Sequence, residues 1–220
     1  MGSKPSGPDP AGLFAHDLAI GRGAVAGTDE AGRGCLAGPI VAAAVAFDRD
    51  CLESFGAGRL AKLNDSKKLS AGVRERLLPE ILRCASTVTI VMRSSRYIDA
   101  VGLQVSNVEC LTEALATTGE IAGVTRLVDG FRLPDCGFEH ERLVKGDSKS
   151  AAVAAASVVA KVSRDRCMAR AGQQYPQYGF ESHKGYASEA HREAIARHGP
   201  SPIHRLSRRK SGSSASFDSP

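Results

Sequence analysis

The sequence predicts an α/β layered fold, on three observations. Two apolar runs rich in small and β-branched residues, 24–29 and 38–47, read as adjacent strands joined by a glycine-rich connection. Stretches with helical apolar spacing then alternate with further short β-branched runs. Residues 150–169, with Ala151, Ala152, Ala154, Ala155 and Ala156 at their start, read as one long helix able to pack very close to a neighbour. Strands early, helices interleaved and a long helix late make a layered sheet-and-helix domain.

Between these landmarks each element has a local cause. Residues 70–84 predict a helix with Ser70 as N-cap, an apolar stripe of Leu77, Leu78, Ile81 and Leu82, and a bend at Pro79. The β-branched content of 87–92 predicts a third strand, and 103–115 a second helix with Val108, Leu111 and Leu115 on one face. Residues 124–128 and 142–144 are two more short strands. Residues 1–12 are rich in Gly, Pro and Ser, and 208–220 are Ser-rich and basic at their start, so neither tail is expected to pack. The folded unit is 13–207.

A chain of 220 residues, 42% hydrophobic and 24% charged, is long enough for one well-buried core. A formal charge of +5 suits a polyanionic partner without requiring one. The six cysteines are scattered, with no C-x-x-C pair to suggest zinc or a redox dithiol, and are expected to be reduced thiols of a cytoplasmic protein. The longest apolar stretch, 40–47, is far below the roughly 18 residues that span a bilayer, so no membrane association is expected.

The acidic residues carry the chemistry. Asp29 and Glu30 end one predicted strand, Asp129 ends another, and Asp147 follows a third. A carboxylate at the end of a buried strand costs several kcal/mol unless paired or bound to metal. If the strands are neighbours, the four groups converge into a hard oxygen set with no His or Cys nearby, which suits Mg²⁺ or Mn²⁺. Two such ions clamp the attacking and leaving oxygens of a phosphodiester displacement. The competing reading makes each Asp a turn or cap residue: Asp129-Gly130 is a good turn dipeptide, and Asp147-Ser148 could open the long helix. Asp165, flanked by Arg164 and Arg166, competes for the fourth place, although a solvated or ion-paired helix residue is the simpler account.

Gly32-Arg33-Gly34 follows the carboxylate pair and lets backbone amides approach a ligand, or else forms a tight hairpin; it lacks the third glycine of a dinucleotide fingerprint. Ser66 and Lys67, in Asp65-Ser66-Lys67-Lys68, could offer a hydroxyl and ammonium groups to phosphate, or simply form an exposed capping turn. In His183-Lys184-Gly185-Tyr186, Tyr186 could stack on a sugar or base while Lys184 holds phosphate, or could simply pack.

Taken together, the strings Gly27-Thr28-Asp29-Glu30-Ala31-Gly32-Arg33-Gly34, Asp65-Ser66-Lys67-Lys68-Leu69, Val128-Asp129-Gly130, Lys145-Gly146-Asp147, Ala154-Ala155-Ala156-Ser157-Val158-Val159-Ala160-Lys161-Val162-Ser163-Arg164-Asp165 and His183-Lys184-Gly185-Tyr186 closely resemble bacterial ribonuclease HII, in order over about 13–207. The resemblance implies a ribonuclease H-like fold: a mixed five-stranded sheet flanked by helices, with a C-terminal helical segment that helps hold substrate. It implies that Asp29, Glu30, Asp129 and Asp147 bind the metals, and it places Asp147 rather than Asp165 among them. It further implies that Gly32, Arg33 and Gly34 read the ribose 2′-OH through the backbone and that Tyr186 stacks at the RNA–DNA junction. The implied partners are RNA–DNA hybrid and ribonucleotide-containing duplex DNA, cut 5′ of the ribonucleotide to leave 3′-hydroxyl and 5′-phosphate ends by a monomer. Cys35 stands where the family often has Pro, and Ala187-Ser188 where Gly-Thr is more usual.

Two other readings are weighed. A ribonuclease HIII-like enzyme normally carries an additional N-terminal domain, and 28 residues precede Asp29 here. A non-catalytic binding module would be expected to have lost at least one of the four carboxylates.

Overall fold

The computed structural model describes residues 10–21, 23–55 and 58–207, so the expectations for 1–9 and 208–220 lie outside the described residues. Its strands are β1 (Val25–Ala31), β2 (Ile40–Phe47), β3 (Thr87–Arg93), β4 (Thr125–Asp129) and β5 (Glu141–Leu143). They form one sheet in the order β3-β2-β1-β4-β5. β1 pairs antiparallel with β2 and parallel with β4. Every residue of β2 is fully buried, and only a strand covered on both faces carries so unbroken an apolar run.

The helices are α1 (Pro10–Ile20), α2 (Arg49–Phe55), α3 (Ala71–Cys84), α4 (Ser95–Val101), α5 (Leu103–Ala116), α6 (Ala151–Gln174), α7 (Phe180–His183) and α8 (Glu189–His198). One face of the sheet packs on α6, α3 and α1, and the other on α5. The alanines that open α6 are all buried against β1 and β2. The approach is so close that a Cβ on Gly27 would lie 2.3 Å from the Val153 backbone nitrogen, so only glycine fits there.

Ser70 caps α3, accepting from the Val73 amide, and the helix runs through Pro79 to Cys84. Leu77, Leu78 and Ile81 are buried as the stripe requires, but Leu82 is 52% exposed. The apolar face is narrower than the four-residue stripe, and Cys84 completes it instead.

Helix α1, to which the sequence assigned no element, begins inside the stretch read as a tail. Its Leu13 and Phe14 are buried, and the fully buried Asp17 accepts from Ser150 Oγ (3.0 Å) and the Ala152 amide (2.9 Å). Those donors sit at the start of α6, where a carboxylate also opposes the positive end of the helix dipole. Ser150 is the N-cap of α6, so Asp147-Ser148 does not open it. Asp147 instead lies in a separate 3₁₀ turn, Gly146–Ser148.

Candidate metal centre and nucleic-acid interface

Because β4 lies beside β1 and runs parallel to it, Asp29 near the end of β1 and Asp129 at the end of β4 reach the same edge of the sheet. One oxygen from each of Asp29, Asp129 and Asp147 falls within 4.8 Å of the others. Asp29 Oδ1 accepts from the Glu30 amide at 2.8 Å. Asp129 Oδ1 accepts from the Gly146 amide at 2.7 Å, which ties the end of β4 to the turn carrying Asp147. Gly130, in left-handed conformation at φ 80°, turns the chain directly after Asp129, as the turn reading of that dipeptide expects, and leaves the Asp129 carboxylate in the cluster.

Glu30 falls outside this triad but lies close enough for its charge to act on Asp29, and its Oε1 accepts from Arg33 Nη1 at 3.3 Å. Asp165 lies on α6, ion-paired to Lys161 (2.8 Å) and Arg74 (3.7 Å).

The carboxylates strain one another electrostatically. Burial, then the charges of Glu30 and Asp129, hold the Asp29 carboxyl well above its ordinary range. Burial also raises Glu30, against the pull of Arg33. Asp147 is raised by burial, then by Asp65 and Asp129. One cation already leans on the cluster: Lys67 Nζ is 3.3 Å from Asp147 Oδ2, with a side chain 77% exposed. Burial works against its charge, but Asp29, Asp147 and Asp65 outweigh it and hold the ammonium above its ordinary value. Two buried carboxylates, Asp29 and Asp147, with the half-buried Asp129 between them, offer all-oxygen donors that fit a divalent hard cation.

Residues 32–39 form a loop between β1 and β2 rather than a tight hairpin. Gly32, at φ 100°, has no room for a Cβ, which would lie 2.2 Å from Arg164 Nε. The loop is gripped by the C-terminal segment: Leu36 N donates to Gly185 O (2.8 Å), Gly38 N to Ile203 O (2.8 Å) and Arg205 N to Leu36 O (2.8 Å). This seats Tyr186 against the loop, its ring edge 3.8 Å from where a Gly34 Cβ would stand, with Cys35 fully buried close by. Tyr186 remains 42% exposed, and Lys161 Nζ and the Arg164 guanidinium lie 5.4 and 5.8 Å from its ring centroid. Its carbonyl accepts from His191 Nδ1 (2.7 Å), and His191 Nε2 meets His204 Nε2 at 3.0 Å.

The other two basic-motif positions behave differently. Ser66 is buried, its amide donating to Ser157 Oγ at 3.3 Å. Lys184 directs its ammonium to the Glu181 carbonyl, in a left-handed conformation at φ 52°. Sequence reasoning missed Arg164 and Arg205 as parts of the site. The spacing of Lys161, Arg164 and Met168, which places them on one face of α6, was a signal for the first.

The mixed sheet with helices on both faces, and acidic residues gathered at one strand edge, define a ribonuclease H-like nuclease. Comparison with known proteins narrows the class. A family described as Ribonuclease HII matches residues 26–210. The chain is 49% identical over 184 residues to Ribonuclease HII of Rhizobium meliloti, covering 83% of this chain and 81% of that protein. It is 45% identical over 201 residues to that of Frankia alni, covering 90% and 81%. Among solved structures it is similar to a chain of the PCNA:RNase HII complex from Archaeoglobus fulgidus, with a TM-score of 0.71 and 31% identity over 89% of this chain and 98% of that one. The Bst-RNase HIII structure in complex with Mn²⁺ shares the fold, with a TM-score of 0.66 at 22% identity over 86% of this chain and 67% of that one. The chain belongs to the ribonuclease HII family: it is an endoribonuclease acting on RNA–DNA hybrids, of a type that uses divalent metal. Among the described residues, no helix is long and apolar enough to cross a membrane.

Proposed function

We propose that this chain nicks duplex DNA on the 5′ side of single embedded ribonucleotides, besides hydrolysing longer hybrids, with two Mg²⁺ or Mn²⁺ ions held by Asp29, Glu30, Asp129 and Asp147. The observation that carries the reading is the convergence of three carboxylates, from β1, β4 and the turn after β5, within 4.8 Å. Bound divalent ions supply Lewis-acid stabilisation of the charge that develops on the attacking and leaving oxygens. The protein's own groups bind and orient. The β1 and β4 carboxylates are fixed by the sheet, the Gly146 amide holds Asp129, and Lys67 offers a cation to a phosphate beside Asp147.

Selectivity comes from the neighbouring loop. Gly32, Arg33 and Gly34 bring bare backbone against a ribose, and the 2′-OH is the group that separates RNA from DNA. Tyr186, exposed at the loop's edge, offers a stacking face, Lys184 supplies a cationic contact to the strand, and Ser66, buried against Ser157, supports the turn that carries Lys67. The catalytic unit is 13–207, extended back to Pro10 by α1, and acts as a cytoplasmic monomer in removing ribonucleotides from DNA. Arg208, Arg209 and Lys210 add non-specific attraction to DNA.

The test is a nicking assay on duplex DNA carrying one ribonucleotide, with Mg²⁺ or Mn²⁺, comparing wild type with Asp129→Asn. A cut 5′ of the ribonucleotide that leaves 3′-hydroxyl and 5′-phosphate ends, and is lost with chelator and in the variant, supports the proposal. No cut there with either metal overturns it.

A further inference from the structure

Arg164 is fully buried, yet among the described residues no carboxylate pairs with it. Its guanidinium is spent on three carbonyls: Nε donates to Pro39 (2.9 Å), Nη2 to Ala37 (3.0 Å) and Nη1 to Lys184 (2.9 Å). The first two belong to the loop after the glycines. The third belongs to the turn two residues before Tyr186. Arg205, 1% exposed, works from the other side: Nε donates to Gly38 O (2.9 Å), Nη2 to Pro39 O (2.9 Å) and Nη1 to Arg33 O (3.3 Å). Burying a guanidinium is costly unless the surroundings use its fork geometry. Both forks are used here on one loop.

From this geometry we infer that Arg164 and Arg205 are positioning residues that set the spacing between the 32–34 backbone and the Tyr186 ring, and so fix the width of the slot that separates a ribose from a deoxyribose. The inference rests on the proposed reading of that loop as the ribose-contacting element. Gly32 agrees with it, because its missing side chain is what lets the Arg164 Nε lie under the loop. The carboxylates are anchored separately, by the sheet and by the Gly146 amide, so the arginines act on selectivity rather than on the metal centre. Lysine keeps the charge and loses the fork.

The experiment uses the full chain, as wild type, Arg164→Lys and Arg205→Lys. Three quantities are read: the KM for a duplex with one ribonucleotide, the Ki of the same duplex in all-DNA form as competitor, and the rise in Tm with Mn²⁺. Displacing the loop by about an ångström in Arg164→Lys is expected to raise the KM by about 10- to 100-fold. The Ki and the Mn²⁺-induced rise should stay near wild type. The inference is overturned if KM is unchanged, or if KM, Ki and the Mn²⁺ response all fail together, which is the signature of a collapsed site. Should Arg164→Lys not fold, Arg205→Lys carries the same comparison through its bond to the Arg33 carbonyl. If wild type itself binds the all-DNA duplex as well as the ribonucleotide duplex, the reading of the loop falls first and takes this inference with it.

Discussion

Replacing Asp29 by asparagine should make the metal-free protein more stable while abolishing its response to metal. Asn preserves the acceptor for the Glu30 amide and nearly the same volume, so the change is one of charge. At the 4.8 Å limit of the cluster and an effective dielectric of about 20, each pair of ionised carboxylates costs about 3.5 kcal/mol. Asp29 faces Asp129 and Asp147 within that distance and Glu30 beside it, partly offset by Lys67, so a raised pKa lets a proton relieve much of the repulsion. A net gain of about 2 kcal/mol at pH 8 follows for Asp29→Asn, or about 4–8 °C in Tm for a chain of this size.

The pH dependence has a definite sign. A carboxyl whose pKa is raised by folding is protonated more readily in the folded than in the unfolded state. Its stability contribution therefore falls as pH rises from the ordinary carboxylate range through the raised value. The advantage of the variant should be largest at the alkaline end and shrink as pH falls through the raised range towards the ordinary carboxylate range, where wild-type Asp29 takes up its proton. Burial depresses the pKa of His191, which opposes this trend in each protein, but it cancels in the difference. The assay is thermal unfolding in chelator across that range, repeated with Mn²⁺. A metal-free variant less stable than wild type at pH 8, or one that keeps the full Mn²⁺-induced rise, would refute the electrostatic argument.

Three further outcomes are expected. Gly27→Ala drives a methyl into the α6 backbone and should cost about 3 kcal/mol or more by urea unfolding; a loss under 1 kcal/mol would mean that α6 shifts freely away from β1. Asp17→Ala strands the Ser150 hydroxyl and the Ala152 amide in the interior, and about 3 kcal/mol of stability should go with it, whereas an unchanged denaturation midpoint would show that α1 does not hold the start of α6. Lys67→Met should lower the slope of log affinity for duplex against log salt by about 1, with a small effect on folding because the side chain is largely exposed; an unchanged slope would place Lys67 off the phosphate path.

How much was legible beforehand varies with the range of the interaction. Ser70 as a cap, the buried Leu77, Leu78 and Ile81, and the extents of β1 to β4 follow from patterns within a few residues, and the structure reproduces them to within a residue or two. Leu82 fails because the helix touches the core over a narrower arc than its apolar residues span. Helix α1 was invisible because what holds it, Asp17 against the start of α6, spans more than 130 residues of chain. Reading residues 32–34 as a possible hairpin erred similarly, since their conformation is imposed by Arg164, Arg205 and the segment around Gly185.

Sequence by itself determined the layered class and marked Asp29, Glu30 and Asp129, because a carboxylate closing an apolar strand is a local anomaly that asks for a partner; Asp147 was preferred to Asp165 by resemblance alone. Only the tertiary structure decided which of them meet. Parallel pairing of β4 with β1 is a contact between segments about a hundred residues apart, and it brings Asp129 to Asp29, with Glu30 beside them and bonded to Arg33. The same holds for the buried arginines: α6 offers Arg164 as one cation among several, and it becomes the brace of the loop only when folding closes three carbonyls around it.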